Sequence, residues 1–489
     1  MADLTIRNLT ITPLELVSVQ RFQGEKVRTG NVVANVTGTI TSFINATDFS
    51  AHRLLPRGDS HDARDVSVHL DPFRAVRTDV RAPDPAGREI LRLTFRAGDR
   101  RYETDVPSPS RKSAVMKRID GGDGDGDDDD SDDKTALDLT VVYVPTGAFL
   151  AIFSSAKLHA WMRQLDDAWP LPLLSIPGTH NSPTCHTALP SVRCQSVGIP
   201  EQLRNGVRFL DVRVSVSPDS DALPLVHSVF PVSLTGIKYF ADMLADIYRF
   251  LDANPSETVL MSLKREGAGR GTDQHLSRHL KASYVDRRPD RWWTEPRIPS
   301  LGQARGRIVV VRRFALDDHV ARESWDGRGW GIDAQHWPDN CEDGTCDGGH
   351  VRVQDFYDVT ESKNIERKID YSRGQLERAA EREFHVVGGA AAAAHHDEST
   401  TTTLPIFLNF LSGSNFFNAT CWPERIAAKV NPAIVEYLCI RHGEDGKGPK
   451  QLKVGAGSTG IVVTDWVGAN GDWDLIRCIV GWNARLQLP

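Results

Sequence analysis

Apolar and polar positions alternate, or gather into β-branched runs, through the N-terminal part of the chain. Leu4–Leu9, Leu14–Arg21, Val32–Phe43, Val66–His69, Ile90–Phe95 and Thr135–Val144 each read as a strand, separated by Gly, Pro, Asp and Asn. Helical periodicity is nearly absent there. Short strands with turn residues between them predict a β-sandwich-like domain over residues 1–147.

From about residue 155 the pattern changes. Ala156–Ala168 and Tyr239–Leu251 carry a helical period, the second closed by Asn254 and Pro255. Short apolar strands are predicted at Leu173–Ile176, Phe209–Val214, Leu225–His227, Val259–Leu263, Ile308–Val311, Val351–Gln354, Ile406–Phe410 and Ile461–Thr464. Eight strands, several followed by helix, predict an α/β fold: a distorted TIM (β/α)8 barrel over residues 155–489.

Two segments break the pattern. Residues 119–134 are almost wholly Gly and Asp. A calcium loop starting at Asp123 would need Gly at its sixth place and Glu at its twelfth, where Asp128 and Lys134 stand. A solvated, disordered loop is expected instead. Gly388–Thr403 reads as a flexible insertion.

Composition narrows the function classes. The 489 residues are 40% hydrophobic and 25% charged, as in an ordinary globular protein. Lys and Arg number 58 against 65 Asp and Glu, a net charge of −7. That balance argues against a nucleic-acid partner held by counterion release. No apolar run is long enough for a transmembrane segment, and no secretory leader is visible. A cytoplasmic protein with reduced thiols is therefore expected, peripheral to a membrane at most. Cys185 with Cys194, or Cys341 with Cys346, would close short loops in an exported protein.

Chemistry gathers at the ends of the predicted barrel strands. They run into His180 and Asn181, Asp211 and Arg213, His227, Lys264 to Glu266, Arg312 and Arg313, Asp355 to Tyr357, and Asp465. Strand C-termini of a (β/α) barrel converge on one face, where active sites sit. So many ionisable groups there are hard to explain as stability, because buried charges are costly without partners. Two histidines suit general acid and base work near neutral pH. A guanidinium suits a phosphate and the charge that builds on it.

The segments Leu173–Ser182 (LLSIPGTHNS) and Gln202–Arg213 (QLRNGVRFLDVR) resemble the X region of phosphatidylinositol-specific phospholipase C, most closely the small bacterial enzymes. Ala304–Phe314, Trp337–Asn340, Val353–Tyr357, Asn431–Pro432 and Gly460–Asp465 continue the resemblance in order, over about 160–485. The resemblance implies a cleavage of phosphatidylinositol, or a glycosylated relative, to diacylglycerol and inositol 1,2-cyclic phosphate. His180 would be the general base, Asp465 its orienting carboxylate, Arg213 the phosphate ligand and His227 the general acid. Lys264, Arg313 and Asp355 would bind the inositol hydroxyls, and Tyr357 would stack on the ring. Rim salt bridges for Lys264 and Arg313, and rim packing for Tyr357, are the alternative readings.

One departure stands out. The bacterial motif has Asp where this chain has Asn181, so His227 would lose a carboxylate partner that Asp211 would have to replace. The animal enzymes place Asn there to bind calcium, together with acidic residues where this chain has Arg213 and Lys264. Cations at those positions repel a divalent ion, so metal-independent chemistry without a cofactor is expected. The implied partner is a phosphatidylinositol-type lipid at a membrane interface. Trp325, Trp330, Trp337, Phe416, Phe417 and Trp422 are candidate interface aromatics. A phosphodiesterase for another head group and a catalytically silent inositol-lipid-binding barrel are the other readings.

Overall fold

A computed structural model describes residues 2–28, 52–108, 113–120, 137–361, 363–383 and 404–488. The predicted strand Val32–Phe43, most of the acidic segment and most of Gly388–Thr403 lie outside them. The chain divides into two units, Met1–Ala156 with Gln487–Pro489, and Lys157–Leu486.

Among the described residues the first unit contains two five-stranded sheets. Its strands are β1 (Asp3–Leu9), β2 (Leu14–Arg28), β3 (His52–Leu70), β4 (Arg74–Arg81), β5 (Glu89–Ala97), β6 (Arg100–Val106), β7 (Ser113–Val115), β8 (Lys117–Arg118), β9 (Thr140–Val144) and β10 (Phe149–Phe153). One sheet has the order β4-β1-β10-β9-β7, the other β3-β2-β5-β6-β8. Alternate residues of each, among them Leu4, Ile6 and Leu150 from one and Leu16, Leu93 and Phe95 from the other, meet in a single apolar core.

The second unit is mixed α/β. Its strands are β11 (Ile176–Thr179), β12 (Phe209–Val214), β13 (Val226–His227), β14 (Phe230–Pro231), β15 (Val259–Arg265), β16 (Trp292–Trp293), β17 (Ile308–Arg312), β18 (Ile332–Asp333), β19 (Gly344–Thr345), β20 (Val351–Gln354), β21 (Ile406–Phe410) and β22 (Ile461–Thr464). The main sheet runs β16-β17-β15-β12-β11-β22-β21-β20-β19, with β18 beside β17. Every neighbour pair is parallel except β19 with β20. Among the described residues no ladder joins β18 to β20, so this barrel is open along one seam. The helix Phe240–Ala253 buries Phe240, Met243, Leu244, Ile247 and Leu251, the one-sided spacing read from the sequence.

Three expected elements differ. The strand expected at Leu173–Ile176 begins only at Ile176, because Leu171–Leu173 forms a 3-10 turn and the Ser175 N–H is taken by Oδ1 of Asn483 at 2.9 Å. The helix expected at Ala156–Ala168 is a kinked 3-10 stretch, Leu158–Gln164. The carbonyls of His159 and Leu165 accept from the guanidiniums of Arg208 and Arg305, both at 2.7 Å, rather than from helical amides. The third barrel strand, expected at Leu225–His227, is no part of the barrel sheet. It is a hairpin of β13 with β14, and Leu225 makes only an antiparallel bridge to Val214. The connection from β12 is shorter than the dozen or so residues that a parallel crossover needs.

Candidate active site

The parallel register brings the predicted side chains to one end of the sheet. The His180 N–H donates to Thr464 O at 2.9 Å, which sets His180 beside the end of β22 and therefore beside Asp465. Asp211 and Arg213 are two residues apart on β12, so they share a face, and Arg213 lies in register with Lys264 on β15. The Arg313 N–H donates to Leu263 O at 3.0 Å, just past β17. Close strand packing needs Gly178, since a Cβ there would meet the Phe209 side chain at 3.0 Å.

A sharp turn follows three of these positions. Asn181 after His180, Ser228 after His227 and Trp466 after Asp465 have φ of 41°, 54° and 58°. Such a left-handed conformation costs about 1–2 kcal/mol for a residue with a Cβ, and Asn tolerates it best. The chain turns abruptly just where each side chain must stay at the strand end.

His180 Nδ1 lies 2.9 Å from Asp465 Oδ1. Burial alone would lower the His180 pKa, but the Asp465 carboxylate, helped by the Cys194 sulfur, outweighs it and the shift is upward. Asn181 Nδ2 donates to His180 Nε2 at 3.1 Å, which fits a neutral ring carrying its proton on Nδ1. Turned end for end, the same amide would offer Oδ1, now buried without a partner among the described residues, to a protonated Nε2. The His227 ring stands edge-on to His180 with 6.0 Å between centroids.

His227 is held differently from the expectation. Its Nδ1 donates to Val192 O at 2.8 Å and lies 3.8 Å from Cys194 Sγ. Asp211 does not replace the missing carboxylate beside it. Asp211 Oδ2 accepts from Arg213 Nη2 and from the Asn181 N–H, both at 3.2 Å, and Oδ1 faces Arg313 Nη1 at 3.4 Å. Burial opposes its charge, yet the two guanidiniums hold the carboxyl well below the usual range.

The cations form one network with these acids. Glu266 accepts from Arg213 Nη1 and from Lys264 Nζ, each at 2.9 Å. Burial would raise the Glu266 pKa, but Arg213 and Lys264 bring it down to about 2. Arg313 lies 3.7 Å over the Trp337 ring, and Trp337 Nε1 donates to Asp355 Oδ2 at 3.0 Å. Behind Asp355, the fully buried Lys368 donates to Phe356 O at 2.7 Å and Gln354 Oε1 at 3.1 Å. Burial pulls the Lys368 pKa down to about 7. Tyr357 stands apart: it is exposed, and its hydroxyl donates to Asp339 at 2.9 Å.

Sequence reasoning placed Glu266 at a strand end without giving it a role, and missed Cys194, Trp337 and Lys368 as parts of this cluster. Glu266 carried a usable signal, an acid two places after Lys264 on the same strand face. Cys194 had none, because it reaches the histidines from the long stretch between β11 and β12. None of the seven cysteines is in a disulfide. Of the interface aromatics, Trp330 is buried and Trp337 belongs to the cluster, while Trp325, Phe416 and Phe417 are exposed. A separate cavity of 330 Å³ beside Tyr239 and Tyr284 includes none of the cluster's side chains.

Residues 169–314 match the family described as phosphatidylinositol-specific phospholipase C, X domain. The match spans His180, Asp211, Arg213, His227, Lys264 and Arg313. A 1-phosphatidylinositol phosphodiesterase of Listeria monocytogenes is 30% identical over 174 residues, 33% of this chain and 50% of that protein. The chain thus spans about half the length of that relative. The Staphylococcus aureus protein of the same name is 26% identical over 322 residues, 62% of this chain and 88% of its own. A solved phosphatidylinositol-specific phospholipase C of S. aureus superposes with a TM-score of 0.51 at 21% identity, covering 67% of this chain and 98% of that one. That likeness shows the barrel fold. No helix among the described residues is long and apolar enough to cross a membrane.

Proposed function

We propose that the second unit is a phospholipase C that cleaves phosphatidylinositol, or a glycosylated relative, to diacylglycerol and inositol 1,2-cyclic phosphate. The observation that carries this reading is the His180–His227 pair, 6.0 Å apart between centroids, with Asp465 on one ring and Arg213 alongside. Named relatives of the barrel, the 1-phosphatidylinositol phosphodiesterases, support the substrate class.

Nε2 of His180 takes the proton of the inositol 2-hydroxyl, and that oxygen attacks phosphorus. Asp465 stabilises the resulting imidazolium. Arg213 carries the charge that builds on the phosphoryl oxygens. Its Nε is buried with no partner among the described residues, so it retains a donor for a ligand. His227 gives a proton to the glycerol oxygen as the phosphorus–oxygen bond breaks. With its Nδ1 on a backbone carbonyl, His227 has an oriented ring but no carboxylate to stabilise its cation. Lys264, Arg313 and Asp355 supply donors and an acceptor for the ring hydroxyls, and Tyr357 an aromatic face at the mouth. The reading needs no metal, since Arg213 supplies the positive charge.

The lipid requires an apolar rim. Phe230 stacks on Phe416 with 6.0 Å between centroids, and Phe416 packs against Phe417, which is 94% exposed. Val229, Leu234 and Ile237 are also exposed, on the stretch that follows His227. These residues suit insertion at a bilayer surface beside the site. The test is release of diacylglycerol from phosphatidylinositol in mixed micelles with excess EDTA, with His180→Ala as control. Release by the wild type alone is expected. Release only after calcium is restored would overturn the metal-free reading, and no release in either condition would overturn the activity.

A further inference from the structure

Cys194 is fully buried, yet its sulfur faces the reacting groups: Sγ lies 3.8 Å from His227 Nδ1 and 3.9 Å from Asn181 Nδ2. His180, Cys194 and Asp465 each present a ligand atom, and the three atoms lie within 4.8 Å of one another. A second observation points the same way. Oδ2 of Asp465, a carboxylate only 2% exposed, has no hydrogen-bond partner among the described residues. A buried orphan carboxylate oxygen beside a thiol and an imidazole is an unfilled donor set.

We propose that His180, Cys194 and Asp465 form a capture site for zinc, which blocks the proton transfer that His180 performs. One nitrogen, one sulfur and one oxygen are the donor mixture zinc accepts, and a thiolate selects it over magnesium or calcium. Donors around one tetrahedral zinc stand about 3.3–3.8 Å apart, given bonds of about 2.0–2.3 Å. The three side chains therefore need only a small inward movement, with Asn181 turned aside. Binding replaces the thiol proton, which leaves to solvent, and the fourth position stays open for water. Carboxylates offset the nearby cations: Arg213 pairs with Asp211 and Glu266, Lys264 with Glu266, and Arg313 with Asp211. The donors of this site are His180, Cys194 and Asp465, not residues at the positions of Arg213 and Lys264. The inhibition rests on the function proposed above, whereas the binding does not.

The test adds zinc alone to chelator-stripped protein and reads affinity by competition with a chromophoric chelator. Cobalt(II) in place of zinc reports the thiolate through its charge-transfer absorption. One tight zinc per chain, with a cobalt–thiolate band, is expected. Cys194→Ser, its fold checked by circular dichroism, should lose the band and bind zinc at least tenfold more weakly. Unchanged zinc affinity in a folded Cys194→Ser protein would overturn the site. X-ray absorption at the zinc edge of the wild type needs no variant: one sulfur with imidazole and oxygen is expected, and no sulfur or two would overturn the site. The ratio of cleavage rates with and without zinc should fall in the wild type and stay near one in Cys194→Ser. Undiminished cleavage by zinc-loaded wild type would overturn the inhibitory role. Binding is read without substrate, so a protein that cleaves nothing still decides the metal site.

Discussion

Strand β12 has an arginine at each end of its run, Arg208 fully buried and Arg213 half-buried, and the two are used in opposite ways. Arg208, just before the strand, pairs with Glu257 at 2.9 Å, and both side chains are fully buried. Its remaining donors reach the carbonyls of Leu203, Val207, Leu158 and His159, and its guanidinium lies 4.5 Å over Phe250. Nothing is left over. Arg213, near the other end, pairs with Asp211 and Glu266, but its Nε has no partner among the described residues. Around it Asn181 Oδ1, Arg313 Nε and Asp465 Oδ2 are also buried and unpaired among the described residues. A closed network holds the lower barrel together, while an open one at the strand ends is incomplete without a ligand. Residue type alone does not separate these two arginines; what their donors are spent on does.

The comparison can be broken at either end. Arg208→Met leaves the Glu257 carboxylate buried without its ion partner, which should remove about 3–5 kcal/mol of stability in urea unfolding. Cleavage by the fraction that remains folded should be unchanged. A loss of activity without a loss of stability would mean that the lower network is no mere scaffold.

Arg213→Lys keeps the charge but removes the planar fork. Cleavage should fall by about 10²–10³-fold, mainly in kcat, because the interaction strengthens as charge builds on phosphorus. Its unfolding midpoint should barely move. A purely structural Arg213 would reverse that pattern.

The pH profile sharpens the upper site. Because Asp465 raises the His180 pKa, the ring is protonated at acid and neutral pH, and a protonated ring cannot accept the hydroxyl proton. Cleavage should therefore rise with pH, on a limb set above the ordinary histidine value of about 6.5. Asp465→Asn removes the charge that raises the pKa, so the limb should move to lower pH while the plateau rate falls. A limb that does not move would detach Asp465 from the base. The smallest effect is expected at Tyr357: Tyr357→Phe loses one exposed bond to Asp339 and should change stability by under about 0.5 kcal/mol. A rise in KM would place its ring on the substrate.

The strand ends were legible in sequence because an apolar run that stops at a charged residue marks both a buried strand and the point where it surfaces. His180, Arg213, Lys264, Arg313, Asp355 and Asp465 all sit at such points. The hairpin at β13 was misread as a barrel strand because Leu225 to His227 has the same composition as one, and only the short connection shows otherwise. Leu173 and Leu174 are fully buried without being extended, since an apolar run reports burial rather than backbone conformation. Asn181 was recognisable as a departure, but its consequence was not. Asp211, its expected substitute, is committed to two arginines, and a sulfur lies beside His227 instead. Cys194 reaches that position through a loop whose path no periodicity encodes.

Phosphorus NMR of the wild-type protein with phosphatidylinositol micelles in EDTA tests the assignment of the upper network most directly. An attack by the inositol 2-hydroxyl, with His180 as base, must produce a cyclic phosphodiester resonance before any monoester, and His180→Ala must not produce it. A monoester formed first, or a cyclic product formed equally well by His180→Ala, would contradict the proposed role of His180.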